Sequence, residues 1–154
     1  MSAWSDPHRW RDLRSGAQCP ICLRGRPLDV VAELESAWLT AQERAPARGY
    51  VCLVFRTHAV ELHDLAPAAA AAFMSDAQRV SRALCAVTGA VKLNYEIHGN
   101  TLPHLHMHFY PRYPGDRFEG RPIDPKAVTE PVYEDGEFER FLGALLAALE
   151  GAHG

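Results

Sequence analysis

Three histidines separated by single apolar residues, His104-Leu105-His106-Met107-His108, are the most concentrated chemistry in this chain. In a β-strand successive side chains point to opposite faces. This spacing therefore sets the three imidazoles on one side and turns Leu105, Met107 and Phe109 toward a core. Such a row has two functional uses. Neutral imidazoles are ligands for zinc and iron. They are also nucleophiles and acid–base groups: at a phosphoryl centre one unprotonated nitrogen can attack phosphorus while neighbouring rings hydrogen-bond its oxygens. Catalytic metal sites of this spacing usually add a carboxylate, as in His-x-His-x-Asp-His, whereas positions 109 and 110 are Phe and Tyr. That absence favours phosphoryl chemistry and leaves a single catalytic metal on all three histidines as its rival.

A second constellation is Cys19-Pro20-Ile21-Cys22. A redox dithiol is expected at the start of a helix in a βαβ unit, but this pair reads as a tight knuckle closed by Arg24-Gly25-Arg26-Pro27. Zinc is the better reading, and a closed zinc site needs four ligands. His58, at a strand end, and the histidine row are the available partners. Cys52, in an apolar run, and Cys85, in a helical pattern, are expected to be buried and inert.

The elements that must position these groups follow from periodicity. Residues 30–34 and 37–40 read as a strand hairpin, 42–49 as a loop, and 50–56 as a buried strand running into Thr57-His58. Phe73, Ala77, Val80, Leu84 and Val87 recur at helical spacing, and Pro67 and Gly89 mark the ends, predicting an amphipathic helix over 67–88. Residues 90–97 and 105–110 read as strands joined by the turn 98–103. Residues 111–134, rich in proline, glycine and charge, form a long irregular loop. Phe138, Phe141, Leu142, Leu145, Leu146 and Leu149 predict a closing helix. The polar residues 1–18 show at most a short helix around 7–14. The class is α+β.

The 154 residues are enough for one sizeable core, so a single domain over 1–154 is expected. A net charge of −3 with 47% hydrophobic residues gives no global attraction to nucleic acid or acidic membranes. Apolar stretches fall short of the roughly 20 residues of a membrane span. The first 18 residues lack the apolar run of a signal peptide. A cytoplasmic location is expected.

The run Gly99-Asn100-Thr101-Leu102-Pro103-His104-Leu105-His106-Met107-His108-Phe109-Tyr110-Pro111-Arg112 resembles the signature of the histidine-triad (HIT) superfamily of nucleotide hydrolases and transferases. That signature is His-φ-His-φ-His-φ-φ, with φ apolar. Gly49 to His58 is similar to the family's Gly-His-x-Leu-Val-x-Pro-Lys-x-His strand, without its Pro-Lys before the histidine. The resemblance implies a HIT-like antiparallel sheet of about five strands, with the long helix packed on it, the C-terminal helix nearby, and a homodimer.

For the chemistry, the resemblance implies that His106 attacks the α-phosphorus of a dinucleoside polyphosphate or nucleoside phosphoramidate, most simply a purine one, and forms a nucleotidyl-histidine. A backbone carbonyl would hold its second nitrogen. His108 would contact the phosphate oxygens, with Thr101 and Asn100 at phosphate or leaving-group positions, Asn94 nearby, Gln42 on the ribose and Arg112 adding to the local field. It also implies a structural zinc on Cys19, Cys22, His58 and His104, with no organic cofactor. His98 reads as a plain loop histidine, and His8, His63 and His153 have no role. A nucleotide-binding sensor with little turnover is the other alternative.

Overall fold

A computed structural model describes residues 2–151, so His153 lies outside the described residues. Five strands, β1 (Val30–Glu33), β2 (Ala37–Thr40), β3 (Val51–Phe55), β4 (Lys92–Glu96) and β5 (His106–Arg112), form one antiparallel sheet in the order β1-β2-β3-β5-β4. Four helices accompany it: α1 (Pro7–Arg14), α2 (Pro20–Arg24), α3 (Pro67–Thr88) and α4 (Glu137–Gly151). This is the expected α+β, HIT-like arrangement. None of these helices is long and apolar enough to cross a membrane.

The register decides which side chains share a face. On one face Leu39, Leu53, Met107 and Phe109 bury against Phe73, Ala77, Val80 and Leu84 of α3 and Leu145 and Leu149 of α4. Phe55 meets Phe73 edge-on with centroids 5.5 Å apart. Each such side chain contributes roughly 1.5–3 kcal/mol by leaving water. α3 begins with Pro67 in its first turn and ends where Gly89, at φ 66°, returns its N–H to the Cys85 carbonyl. Cys52 is buried as expected, but Cys85 is exposed. One residue beyond the buried Leu84 advances the helix by about 100°, which carries Cys85 off the apolar stripe.

The opposite face has two covers. Cys19 and Ile21 close the end nearest His104, and Phe118, Ile123 and Tyr133 close the other, both in an apolar cluster with Tyr50, Cys52, Val54 and Tyr110. Half-buried His106 and His108 occupy the strip between them.

The second cover comes from the irregular 111–134 segment, whose first residues extend β5 to Arg112. Arg112 holds this segment in place. Its Nε and Nη2 donate to the two carboxylate oxygens of Asp116 at 2.9 Å, and Nη2 also donates to the Phe118 carbonyl. Nη1 donates to the Arg121 carbonyl and to Asn94 Oδ1. Tyr133 adds a tie by accepting the Gly49 N–H at 2.8 Å.

The Arg112 hydrogen bonds hold the Asp116 carboxyl down at about 2, below its ordinary 3.8, and the backbone N–H groups of Tyr113 and Phe118 assist. A depressed folded-state value means that the carboxylate stabilises the fold above the ordinary value and loses this contribution as pH falls toward 2. Asp116→Asn is therefore expected to be less stable than wild type at neutral pH, by at most about 2 kcal/mol. That gap should close on acidification, as followed by thermal unfolding across a pH series.

Candidate active site and metal centre

The alternation along β5 holds for His106 and His108, but His104 precedes the strand and turns elsewhere. Ring contacts divide the row: His106 meets His108 at 4.8 Å between centroids, and His104 meets His58 at 5.2 Å. The three histidines thus do not converge on one point, which speaks against a single metal held by all of them.

His104 belongs to a four-residue cluster. Cys19 Sγ lies 3.4 Å from His104 Nδ1, Cys22 Sγ lies 3.3 Å from His58 Nδ1 and 3.7 Å from His104 Nδ1, and the four donor atoms lie within 4.8 Å of one another. Zinc with ordinary S and N bond lengths in a tetrahedron separates S from N by about 3.5 Å, so the donors fit that ion in kind and in spacing. Desolvation and the adjoining Cys19 push the Cys22 thiol up to about 11, so a cation is what would favour two thiolates here.

Both rings are oriented from behind, His104 Nε2 donating to the Phe55 carbonyl and His58 Nε2 to the Arg14 carbonyl, each at 2.8 Å. This leaves both Nδ1 atoms for the cluster. Gly16 passes under the His58 ring, where a Cβ would come within 3.2 Å, at a φ of 87° that glycine adopts readily.

The Cys-x-x-Cys segment is not a bare knuckle. Cys19 caps the five-residue helix α2, which Gly25 ends in the left-handed region. It packs on a sheet face without a βαβ unit, so the convergence of His58 and His104, rather than loop shape, argues against a redox dithiol.

His106 and His108 are held in opposite states. Nδ1 of His106 lies 2.6 Å from the His104 carbonyl. A carbonyl only accepts, so Nδ1 carries the proton and Nε2 of the neutral ring keeps its lone pair. Nδ1 of His108 lies 2.7 Å from Tyr50 Oη. Burial holds the Tyr50 phenol well above its usual range, so it keeps its proton, and when that proton is donated to Nδ1 the proton of His108 resides on Nε2. Burial, with the His106 and His98 rings, lowers His108 to about 4, so it is neutral at ordinary pH. Beneath it in the register, Cys52 is likewise neutral, its thiol pushed up to about 12 by burial.

The other candidates are dispersed. Asn100 and Thr101 are exposed in the turn between β4 and β5, and Gln42 is exposed just beyond β2. Asn94 faces Tyr110 in the register and accepts from Arg112, whose five N–H groups all go to protein acceptors. Arg112 therefore anchors the loop and has no donor left for a ligand, so what it can add to the site is its field, in part offset by Asp116. Tyr50 was missed. Its signal is positional, because Gly49-Tyr50 stands where the family strand has Gly-His.

A family model described as HIT domain matches residues 24–115. Among solved structures, the chain is similar to a histidine triad protein from Bradyrhizobium japonicum, with 33% identity and a TM-score of 0.69 over 78% of this chain and 89% of that one. A histidine triad (HIT) protein from Sinorhizobium meliloti has 24% identity and a TM-score of 0.66 over 77% and 87%. A Zn-bound histidine triad family protein from Mycobacterium smegmatis has 26% identity and a TM-score of 0.62 over 88% and 94%. No curated protein matches.

The cluster geometry predicts about one zinc per chain in purified protein. Cys22→Ser and His58→Ala should each lower the metal content and the melting temperature by several degrees, measured by elemental analysis and calorimetry. Zinc content indifferent to both substitutions would contradict the assignment.

Proposed function

Because this chain belongs to the HIT domain family, we propose that it is a nucleotide hydrolase or nucleotidyltransferase working through a covalent nucleotidyl-histidine on His106. Members of the superfamily are mostly nucleotide hydrolases or transferases, some being non-catalytic. The observation that carries the catalytic reading is the pair of ring contacts, Nδ1 of His106 on a carbonyl and Nδ1 of His108 on the Tyr50 hydroxyl, which with Tyr50 donating leave an unprotonated Nε2 on His106 beside an Nε2–H on His108.

In the first step the His106 Nε2 lone pair forms a bond to the α-phosphorus, and the bond to the leaving group breaks with its electron pair. The charge arriving on the His106 ring is met by the His104 carbonyl at Nδ1. The His108 Nε2–H donates to a phosphoryl oxygen, where negative charge concentrates. A neutral donor suits this task, since burial keeps His108 from competing for a proton. Water, or another acceptor, then displaces the nucleotide from His106. Asn100 and Thr101, exposed on the adjoining turn, are the candidates for phosphate or leaving-group contacts, and Gln42 for the ribose. The substrate class is a dinucleoside polyphosphate or a nucleoside phosphoramidate.

Cys19, Cys22, His58 and His104 would hold a structural zinc, as supported by their spacing and by the relative described as Zn-bound. Bound there, the ion supplies folding energy and rigidity rather than a reacting group. The chain's own contribution is to hold the His104 ring on one side and its carbonyl on the other. For the homodimer, the open outer edge of β4, beside the exposed Val91, Tyr95 and Met74, is the surface for a second copy.

Rapid quench with a dinucleoside polyphosphate or an adenosine phosphoramidate, followed by mass spectrometry, is expected to show one nucleotidyl adduct on His106. His106→Ala should lose about 10³-fold or more in turnover without losing zinc. Full activity in His106→Ala would overturn the mechanism. Tight nucleotide binding with no adduct on wild type would make the protein a sensor.

A further inference from the structure

A fourth histidine, outside the triad, adjoins His108. His98 lies two residues beyond β4, with its ring centroid 5.8 Å from that of His108. Its Nε2 lies 2.9 Å from Glu96 Oε2, and its side chain is 50% exposed against 20% for Glu96. Glu96 stands directly opposite His108 in the β4–β5 register, so the carboxylate that holds His98 is built into the strand beside the nucleophile's own. A carboxylate only accepts, which assigns the Nε2 proton of His98 to this bond and leaves Nδ1 without a partner among the described residues.

Three other ring groups at the site hold one protonation state at neutral pH. Burial and the nearby Glu96 charge keep the Tyr50 and Tyr110 phenols above their usual range, and burial lowers His108. Nδ1 of His106 is taken up by a carbonyl. Displacement at phosphorus with a basic leaving group nevertheless needs a proton donor, and attack by water needs an acceptor. An imidazole oriented by a carboxylate, half-exposed beside His108 and free at its second nitrogen, suits both.

We propose that His98, oriented by Glu96, is the acid–base residue of this site, an inference that rests on His106 being the nucleophile. As the His106 Nε2 lone pair bonds to phosphorus, the phosphorus–leaving-group bond breaks with its electron pair. The leaving group takes the proton from Nδ1 of the His98 imidazolium, which becomes neutral. In the second step the water oxygen bonds to phosphorus and gives its proton to His98 Nδ1, and the phosphorus–nitrogen pair returns to His106. The products are the protonated leaving group and the nucleoside monophosphate, and His98 is recharged. Glu96 acts through His98 as a positioning residue.

Single-turnover kinetics on the full zinc-containing chain tests this with two esters of adenosine monophosphate. The p-nitrophenyl ester expels a leaving group that needs no proton, and the n-butyl ester expels one that does. His98→Gln is expected to slow nucleotidyl transfer from the butyl ester by about 10²–10⁴-fold and to leave the p-nitrophenyl ester within a few-fold. With substrate in excess, nitrophenolate should then appear as a burst, because hydrolysis of the adduct has lost its base. Glu96→Gln should show the same selectivity to a smaller degree, and adding it to His98→Gln should change nothing further. Equal losses on both esters, or none on either, overturn the role of His98. Activity retained in His106→Ala would instead remove the nucleophile on which the proposal rests.

Discussion

The His104 carbonyl, 2.6 Å from Nδ1 of His106, is the contact on which the site depends. It is a short-range constraint within one stretch of backbone, and the rest of the fold serves to hold that backbone still. The His104 ring is fully buried, with Nε2 on the Phe55 carbonyl and Nδ1 among the thiols of Cys19 and Cys22. One residue thus gives its side chain to the thiol–imidazole cluster and its carbonyl to His106, so the rigidity of the first is transmitted directly to the second. α1 contributes through Arg14, whose carbonyl orients His58, and Gly16 closes the wrap around that ring.

His108 is governed differently. Its Nδ1 meets a phenol rather than a carbonyl, and burial keeps that phenol protonated and able to donate. Tyr50 and Tyr110 flank the His108 ring at 5.9 and 6.0 Å between centroids. The loop held by Arg112 completes this apolar surround by folding Phe118 and Ile123 against the same cluster. The long excursion therefore has an electrostatic consequence: by excluding water it lowers His108 and keeps that ring neutral beside His106.

Much of this was legible in the sequence because it depends on local period. The alternation 105, 107, 109 against 106, 108 anticipates the two faces of β5, and the Phe73-to-Val87 stripe between Pro67 and Gly89 anticipates α3. What escaped depends on tertiary approach. Cys85 was misplaced because a helical stripe is narrow and its edges depend on where the sheet lies. The sequence offers Arg112 as a contributor to the local field; its full set of acceptors, Asp116 and the carbonyls of Phe118 and Arg121, comes together only when the loop folds back. Tyr50 carried no signal of its own because its partner His108, 58 residues away, is set by the pairing of β3 and β5.

The central claim is that adjacent histidines on one strand face are locked in opposite tautomers. A long-range proton–nitrogen NMR spectrum of the zinc-loaded protein, with the imidazole nitrogens labelled and both rings in their neutral form, reads this directly. The account predicts Nδ1–H with a bare Nε2 for His106 and Nε2–H with a bare Nδ1 for His108. Finding both rings in the same tautomer, or the proton of His106 on Nε2, would contradict it.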